Sequence, residues 1–393
     1  MSQLTKNNLL FSVLFTAILT PMIFFVMGLP MILQLKGFDA SFIGFFQLAS
    51  LPMIFKFLIS PPIDKIVFKE NHYKKWSFYI GLLYIFLLIF ISFLSLEDSI
   101  YTLFVAVFIT AFISTFMDIP INALAIKTFK KEERISAGSY KIIAYSIAAL
   151  LGGGVFLLFY NHLGWKITFL IMAFFVFTSL LALYFIDEND EKIQTTNISL
   201  KNIFTFFWQK NIAIWVFILS FYFVSVSSIW VFMKPYLISK GIKADDVAIY
   251  VGIYGSFIAI LGGILSNFIG KKISKKNLLI IFMFFNIFSI IVLIFIEYNN
   301  LTFYYLILSV TFFALAISLS SSIIFSLIMD YSRSSQRAID YSIQSSIFTF
   351  TRMLSAVIAG LLVSNFGFGK MFIFELCFVI FVTFIIFIKY SNK

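Results

Sequence analysis

Long apolar runs, each closed off by a few charged or turn-forming residues, set the pattern of this chain. A helix needs about 20 apolar residues to cross a bilayer. Twelve such runs are expected, roughly over 9–34, 40–60, 77–96, 100–126, 137–160, 165–186, 211–233, 246–269, 278–296, 301–329, 341–365 and 370–388. Strands of a membrane barrel are about 10 residues of alternating pattern, so runs this long exclude them. Helices satisfy their own backbone in lipid. The predicted fold is therefore an all-α polytopic membrane protein of twelve transmembrane helices.

The polar intervals divide this series. The longest, Asp187–Lys210, opens with Asp187, Glu188, Asp190 and Glu191. It predicts a six-helix bundle over 1–187, a linker over 188–210 and a second six-helix bundle over 211–393. Each half places a short basic loop after its second span: Asp64 and Lys65 through Lys75 in the first, Gly263 through Lys272 in the second. Six-helix pseudo-repeats related about the membrane normal mark one large class of secondary transporters, with the solute site between halves near the midplane.

Composition agrees with lipid as the main solvent. Apolar residues make up 61% and charged residues 12%, against about a quarter charged in soluble domains. With 55 phenylalanines, the lipid-facing surface is expected to be rich in Phe and Ile. The net charge of +11 does not point to nucleic acid, because the basic residues sit in short loops. Only Lys36, Lys166, Lys234, Lys240, Lys243 and Lys370 fall in alternate loops of one face, while most of the rest fall on the other. Lysine and arginine favour the cytoplasmic side, which puts both termini in the cytoplasm. The first run is too long for the core of a cleaved signal and reads as a span. A lone Cys377 excludes an internal disulfide. His72 and His162 are expected to be solvated loop residues, not ligands, and no metal or cofactor site is predicted. No P-loop, HExxH helix or Ser-x-x-Lys motif points to an enzyme.

A charge within a span costs about 2.5–3.5 kcal/mol on insertion scales and marks a cavity or a partner. Asp118, followed by Pro120, reads either as a protonatable, cavity-facing carboxylate or as the structural partner of Lys56. Lys56 reads as that partner or as a cation for an anionic solute. Arg352, with Gln344 two turns earlier, is the candidate for solute recognition; the alternative is a pair with Glu375. Asp64, Asp330, Arg333, Arg337 and Asp340 gather at the ends of spans two, ten and eleven. Gly152–Gly154, Gly252, Gly255, Gly262 and Gly263 are expected to let helices approach closely. Pro21, Gly28 and Pro30 are expected to bend span one.

Several stretches carry a resemblance. Gly263 to Lys272 resembles the G-x-x-x-D-x-x-G-R-R loop of the major facilitator superfamily, with Asn267 at the acidic position. The run from Lys56 to Lys65, with Pro61, Pro62 and Asp64, is similar to the K-F-L-W-A-P-L-V-D-R stretch of its muropeptide-permease branch and the siderophore-importer relatives. Met117-Asp118-Ile119 through Asn122, Glu133-Arg134, Gly152–Gly154, Leu163–Trp165, Lys234–Leu237, Met329–Arg333 and Asp340–Gln344 resemble further segments of that branch. Met117 and Asn122 stand where the branch has Gln and a second acid. The resemblance implies a proton-driven importer of a mid-sized polar solute in a bacterial cytoplasmic membrane, a siderophore first and a muropeptide second. It implies substrate or coupling roles for Asp118, Arg352, Lys56, Asn122 and Gln344. It places Asp64, Lys65, Asn267, Asp330, Arg333 and Asp340 in gating loops, Asp64 by setting a carboxylate against the positive N-terminus of a helix such as span eleven. The rivals are a non-transporting membrane sensor on the same scaffold and a membrane-embedded enzyme.

Overall fold

A computed structural model describes residues 2–29, 32–33, 48–94, 100–188, 204–299 and 303–390. Its helices are α1 (Gln3–Ile23), α2 (Lys56–Ile59), α3 (Pro61–Lys65), α4 (His72–Ser92), α5 (Ile100–Thr128), α6 (Arg134–Leu150) and α7 (Phe156–Leu180). They continue as α8 (Ile212–Phe221), α9 (Val224–Ser239), α10 (Gly255–Gly270), α11 (Lys275–Asn299), α12 (Phe303–Asp330) and α13 (Arg337–Lys389).

Among the described residues, nine helical segments are long and apolar enough to cross a membrane. Two of these, Lys131–Phe185 and Arg337–Lys389, run to 55 and 53 residues. One glycine breaks each: Gly164 at φ 78°, ψ 176°, and Gly367 at φ 81°, ψ 171°. Essentially only glycine occupies that region. The two breaks turn nine segments into eleven spans. The expected second span, 40–60, begins outside the described residues and is seen from Leu48–Met53 through α2.

The two breaks repeat one device. An aromatic residue follows each glycine and meets another four residues on: Trp165 with Phe169, ring centroids 4.4 Å apart, and Phe368 with Phe372, 6.3 Å apart. Trp165 also donates its indole N–H to the Ile91 carbonyl at 2.9 Å. These matching hairpins between the last two spans of each half are an internal repeat that the basic loops alone did not reveal.

Close packing, not polarity, decides which face of a span turns inward. Along α4, Ser77, Ile80, Gly81, Tyr84, Leu88 and Ile91 lie on one face and are buried, while Phe78, Phe86 and Phe90 point outward. Lipid tails solvate leucine and phenylalanine as well as a protein core does, so close packing selects the interface. The expected Phe- and Ile-rich outer surface is present in Phe174, Phe268, Phe284, Phe381 and Ile388, all exposed.

The chain packs as two compact units. One comprises Met1–Glu133, Ile147–Phe204 and Met329–Ser346; the other comprises Arg134–Ser146, Thr205–Ile328 and Ile347–Lys393. Each thus incorporates a short segment from the opposite half of the sequence. In the first unit the start of α13 packs on α3 and α5 through Asp64 and Asp118. In the second the start of α6 packs on α10 and α12. A methyl group at Gly138 would strike the Ser322 carbonyl, one at Gly270 would strike Ile135, and one at Gly263 would lie 2.7 Å from Ile143.

Three expectations change here. Of the glycines assigned to packing, Gly152 abuts the Thr20 backbone, but Gly154 and Gly252 face open space. Span one is deformed by Pro21 and by a π-helical turn at Phe24–Gly28, which packs on a second such turn at Leu151–Val155. Pro30 lies outside the described residues. His72 is not solvated: it is 2% exposed, accepts the Phe68 N–H on Nδ1 at 3.2 Å and lies 4.6 Å from the Tyr73 ring. As the first residue of α4 it is enclosed by the turn before that helix, with the Phe68 ring 6.2 Å away. Most of the expected linker, 189–203, lies outside the described residues.

Candidate functional site

In the first unit, α2, α5 and the start of α13 converge on one carboxylate. Asp118 Oδ2 lies 2.7 Å from Lys56 Nζ and accepts the Tyr341 hydroxyl at 2.8 Å. Asp118 Oδ1 accepts the Asn122 amide at 2.8 Å. The Asn122 amide also reaches the Asp118 carbonyl at 2.6 Å, a link one helical turn long beside Pro120, which has no N–H to give. Lys56 Nζ is 3.4 Å from Ser345 Oγ and 5.7 Å from the centroid of the Tyr341 ring. Both side chains of the pair are 11% exposed. A proton added to Asp118 removes the charge that holds Lys56, so this cluster is able to act as a switch. The pairing expected of Asp118 and Lys56 is thus made.

The second cluster of the first unit lies at the ends of these helices. Asp64 is buried; its Oδ1 accepts the Tyr73 hydroxyl at 3.0 Å and its Oδ2 accepts the Ile339 N–H at 3.0 Å, in the first turn of α13. Burial pushes its carboxyl from the usual 3.8 up to about 6, against the opposing hydrogen bonds from Ile339, Tyr73 and Ala338 and with a contribution from Asp340. Arg333 grips Asp340 with two side-chain bonds of 2.7 and 2.8 Å and its own backbone N–H at 2.8 Å. Gln344 is buried, its amide donating to Ser332 Oγ at 3.1 Å and the Asp340 carbonyl at 3.0 Å. It braces this turn. Lys65 is exposed at the end of α3, and Asp330 closes α12.

Sequence reasoning passed over two residues here. Tyr341 was read only as part of a segment, yet its hydroxyl completes the Asp118 cluster. Glu188 stands in the polar interval only as the first residue of the expected linker. Its carboxylate instead accepts the N–H groups of Tyr73 and Lys74 at 3.2 and 3.1 Å and pairs with Lys127 at 3.1 Å. The signal was at the other end of the contact: Asn71, before α4, caps it with no side-chain bond, which leaves the helix N-terminus open to an outside anion.

In the second unit the notable charge is Arg352. Its guanidinium carbon lies 5.3 Å from the Phe223 ring centroid and 5.4 Å from that of Phe348. Nε–H donates to Ser227 Oγ at 3.1 Å. The residue is exposed, and among the described residues no carboxylate pairs with it. Among the described residues the alternative pairing with Glu375 is not made: Arg352 bonds Ser227, while the Glu375 backbone carbonyl accepts the Ser225 hydroxyl at 3.2 Å. Asn267, half-buried on α10, leaves its Oδ1 without a partner.

The family model described as the Major Facilitator Superfamily matches residues 9–339 of this sequence. The chain belongs to the Major Facilitator Superfamily. As such it is a multi-pass membrane transporter. Among its relatives in this superfamily are two proteins named "Putative transporter AmpG 4". The one from Rickettsia felis is 24% identical, covering 100% of this chain and 98% of its own length. The one from Rickettsia conorii is 22% identical, covering 95% of each. "Putative transporter AmpG 1" of Rickettsia bellii is 26% identical over 89% of this chain and 90% of its own. The fold is likewise that of solved superfamily members. The human organic anion transporter MFSD10 superposes with a TM-score of 0.76 at 10% identity, covering 98% of this chain and 100% of that one. The proton:xylose symporter XylE gives 0.75 at 13%, covering 98% and 95%.

Proposed function

We propose that this superfamily member is a proton-coupled secondary importer of a mid-sized, carboxylate-bearing solute, working by alternating access in a bacterial cytoplasmic membrane. The observation that carries the solute class is Arg352. A guanidinium at mid-span depth, flanked by two aromatic rings and held at Nε by Ser227, keeps its two terminal nitrogens for a ligand. Those nitrogens match a carboxylate bidentately. Asp118 is the proposed coupling acid, since its protonation frees Lys56. Asp64, with the Arg333–Asp340 clasp, is the proposed inner gate: its bond to the first turn of α13 forms in one state and breaks in another. Lys65, Asp330 and Asn267 belong to the same gating loops.

A ferric siderophore is the first solute, on the resemblance of the second-half segments and Gly152–Gly154. A muropeptide is the second reading, favoured by the name shared among the Rickettsia relatives. Proteoliposomes offered a labelled ferric siderophore and a labelled anhydro-muropeptide, with and without an inward proton gradient, test both. Gradient-driven accumulation of one is expected, lost in Arg352→Gln. Accumulation of neither, beside a working control transporter, overturns the proposal.

A further inference from the structure

The second unit holds an acid that the scheme above does not use. Glu375, in the apolar second part of α13, is 2% exposed, and its Oε2 is shut off from solvent with no hydrogen-bond partner. Buried polar atoms are rarely left so. Burying a carboxylate without a counter-charge is far more costly than burying a neutral carboxyl. Among the described residues, the elements against it supply no cation. Tyr222, just after α8, spends its hydroxyl on the Leu279 carbonyl at 3.1 Å. Among the described residues, Lys234 and Tyr236 on α9, and Arg352, Lys370, Cys377 and Lys389 on this part of α13, make no pair with it; beside it stand the hydroxyls of Ser225, which donates to the Glu375 backbone carbonyl, and Ser228, which donates to the Val224 carbonyl. Two hydroxyls and one carboxyl are too few oxygens for a hard metal cation, which takes six or more. They suit a single proton.

We infer that Glu375 is a proton-binding site of the transport cycle, and that the start of α9 links it to the solute. Span seven is broken between α8 and α9, at Tyr222 and Phe223. Residues 223–228, at and just after the break, touch both groups. Phe223 and Ser227 hold Arg352, while Ser225 and Ser228 face Glu375. A solute carboxylate that draws Arg352 off Ser227 therefore disturbs the turn that encloses Glu375. The carboxyl then meets water and gives up its proton, the O–H bond at Oε2 breaking and the proton passing to that water. A proton from water on the opposite side restores it. This rests on the proposed proton coupling but moves part of it to span twelve.

The test is infrared difference spectroscopy on the full-length protein in lipid, without solute, across a pH titration. A carbonyl stretch of a protonated carboxyl is expected at neutral pH. It should vanish in Glu375→Gln, persist in Asp118→Asn and shift in Ser225→Ala and Ser228→Ala, which change its hydrogen bonding without removing it. In proteoliposomes Glu375→Gln is expected to lose uphill accumulation and keep exchange of the solute that wild type carries. A band unchanged in Glu375→Gln overturns the assignment, as does full gradient-driven uptake by that variant or a sodium gradient replacing the proton gradient. Should Glu375→Gln fail to fold, an unshifted band in Ser228→Ala overturns it instead. The spectrum needs no solute, so absent uptake by wild type sinks the transport proposal while leaving the proton site standing.

Discussion

Lys56 and Asp118 illustrate how a single residue's environment sets the cost of changing it. The pair is nearly enclosed, and Asp118 takes further bonds from Tyr341 and Asn122. Removing one partner of a buried pair typically costs about 3–5 kcal/mol, because the other is left uncompensated. Lys56→Met is therefore expected to lower the melting temperature in detergent markedly, and Lys56→Met with Asp118→Asn to recover most of the loss. Equal melting of the single and double variants would remove the pair from the stability account. Asp64 gives a pH prediction. Its carboxyl is raised from 3.8 to about 6 in this state. A raised acid stabilises the state that holds it below the ordinary value, and the stabilisation fades as pH rises through 6. The whole shift corresponds to roughly 3 kcal/mol. Wild type is thus expected to gain stability relative to Asp64→Asn as pH falls from about 7 to about 4; parallel melting curves would refute it. At this scale the sequence made charged residues in spans conspicuous. It set Lys56 and Asp118 at similar depth and offered Glu375, nearer the outer face, as an alternative partner for Arg352. Packing makes the first pair and not the second.

Helices were legible from run length alone, but most of their deformations, apart from the one at Pro21 and Gly28 in span one, were not. The π-helical turns at Phe24–Gly28, Leu151–Val155 and Ala248–Tyr254 and the break in span seven leave little mark on an all-apolar run. The same holds for the glycines. Gly152 and Gly154 are two residues apart in one run, yet a methyl group at Gly152 meets the Thr20 backbone and one at Gly154 meets nothing. Overpacking a close contact typically costs about 1–3 kcal/mol. Gly152→Ala is expected to melt earlier and Gly154→Ala to match wild type, measured side by side in the same detergent. A loss shared equally by both would mean that helix propensity, not the contact with α1, governs this stretch.

For the whole molecule, the twelve-span pattern and the superfamily followed from apolar runs, basic loops and a few motifs. The two compact units did not, because each borrows a segment from the far half of the chain. Topology is open to direct test. Lysine and arginine placement predicts that green fluorescent protein fused after Lys393 fluoresces and that alkaline phosphatase fused there is inactive; the reverse would invert the orientation. The hairpins at Gly164 and Gly367 carry a consequence of their own. Each joins two membrane helices through one glycine, with no spare chain between them. Spans five and six, and likewise eleven and twelve, are therefore geared together: a tilt in one arm is delivered to the other without backlash. A flexible insert at either glycine would slip that gear, leaving each helix folded but free to lag behind its neighbour.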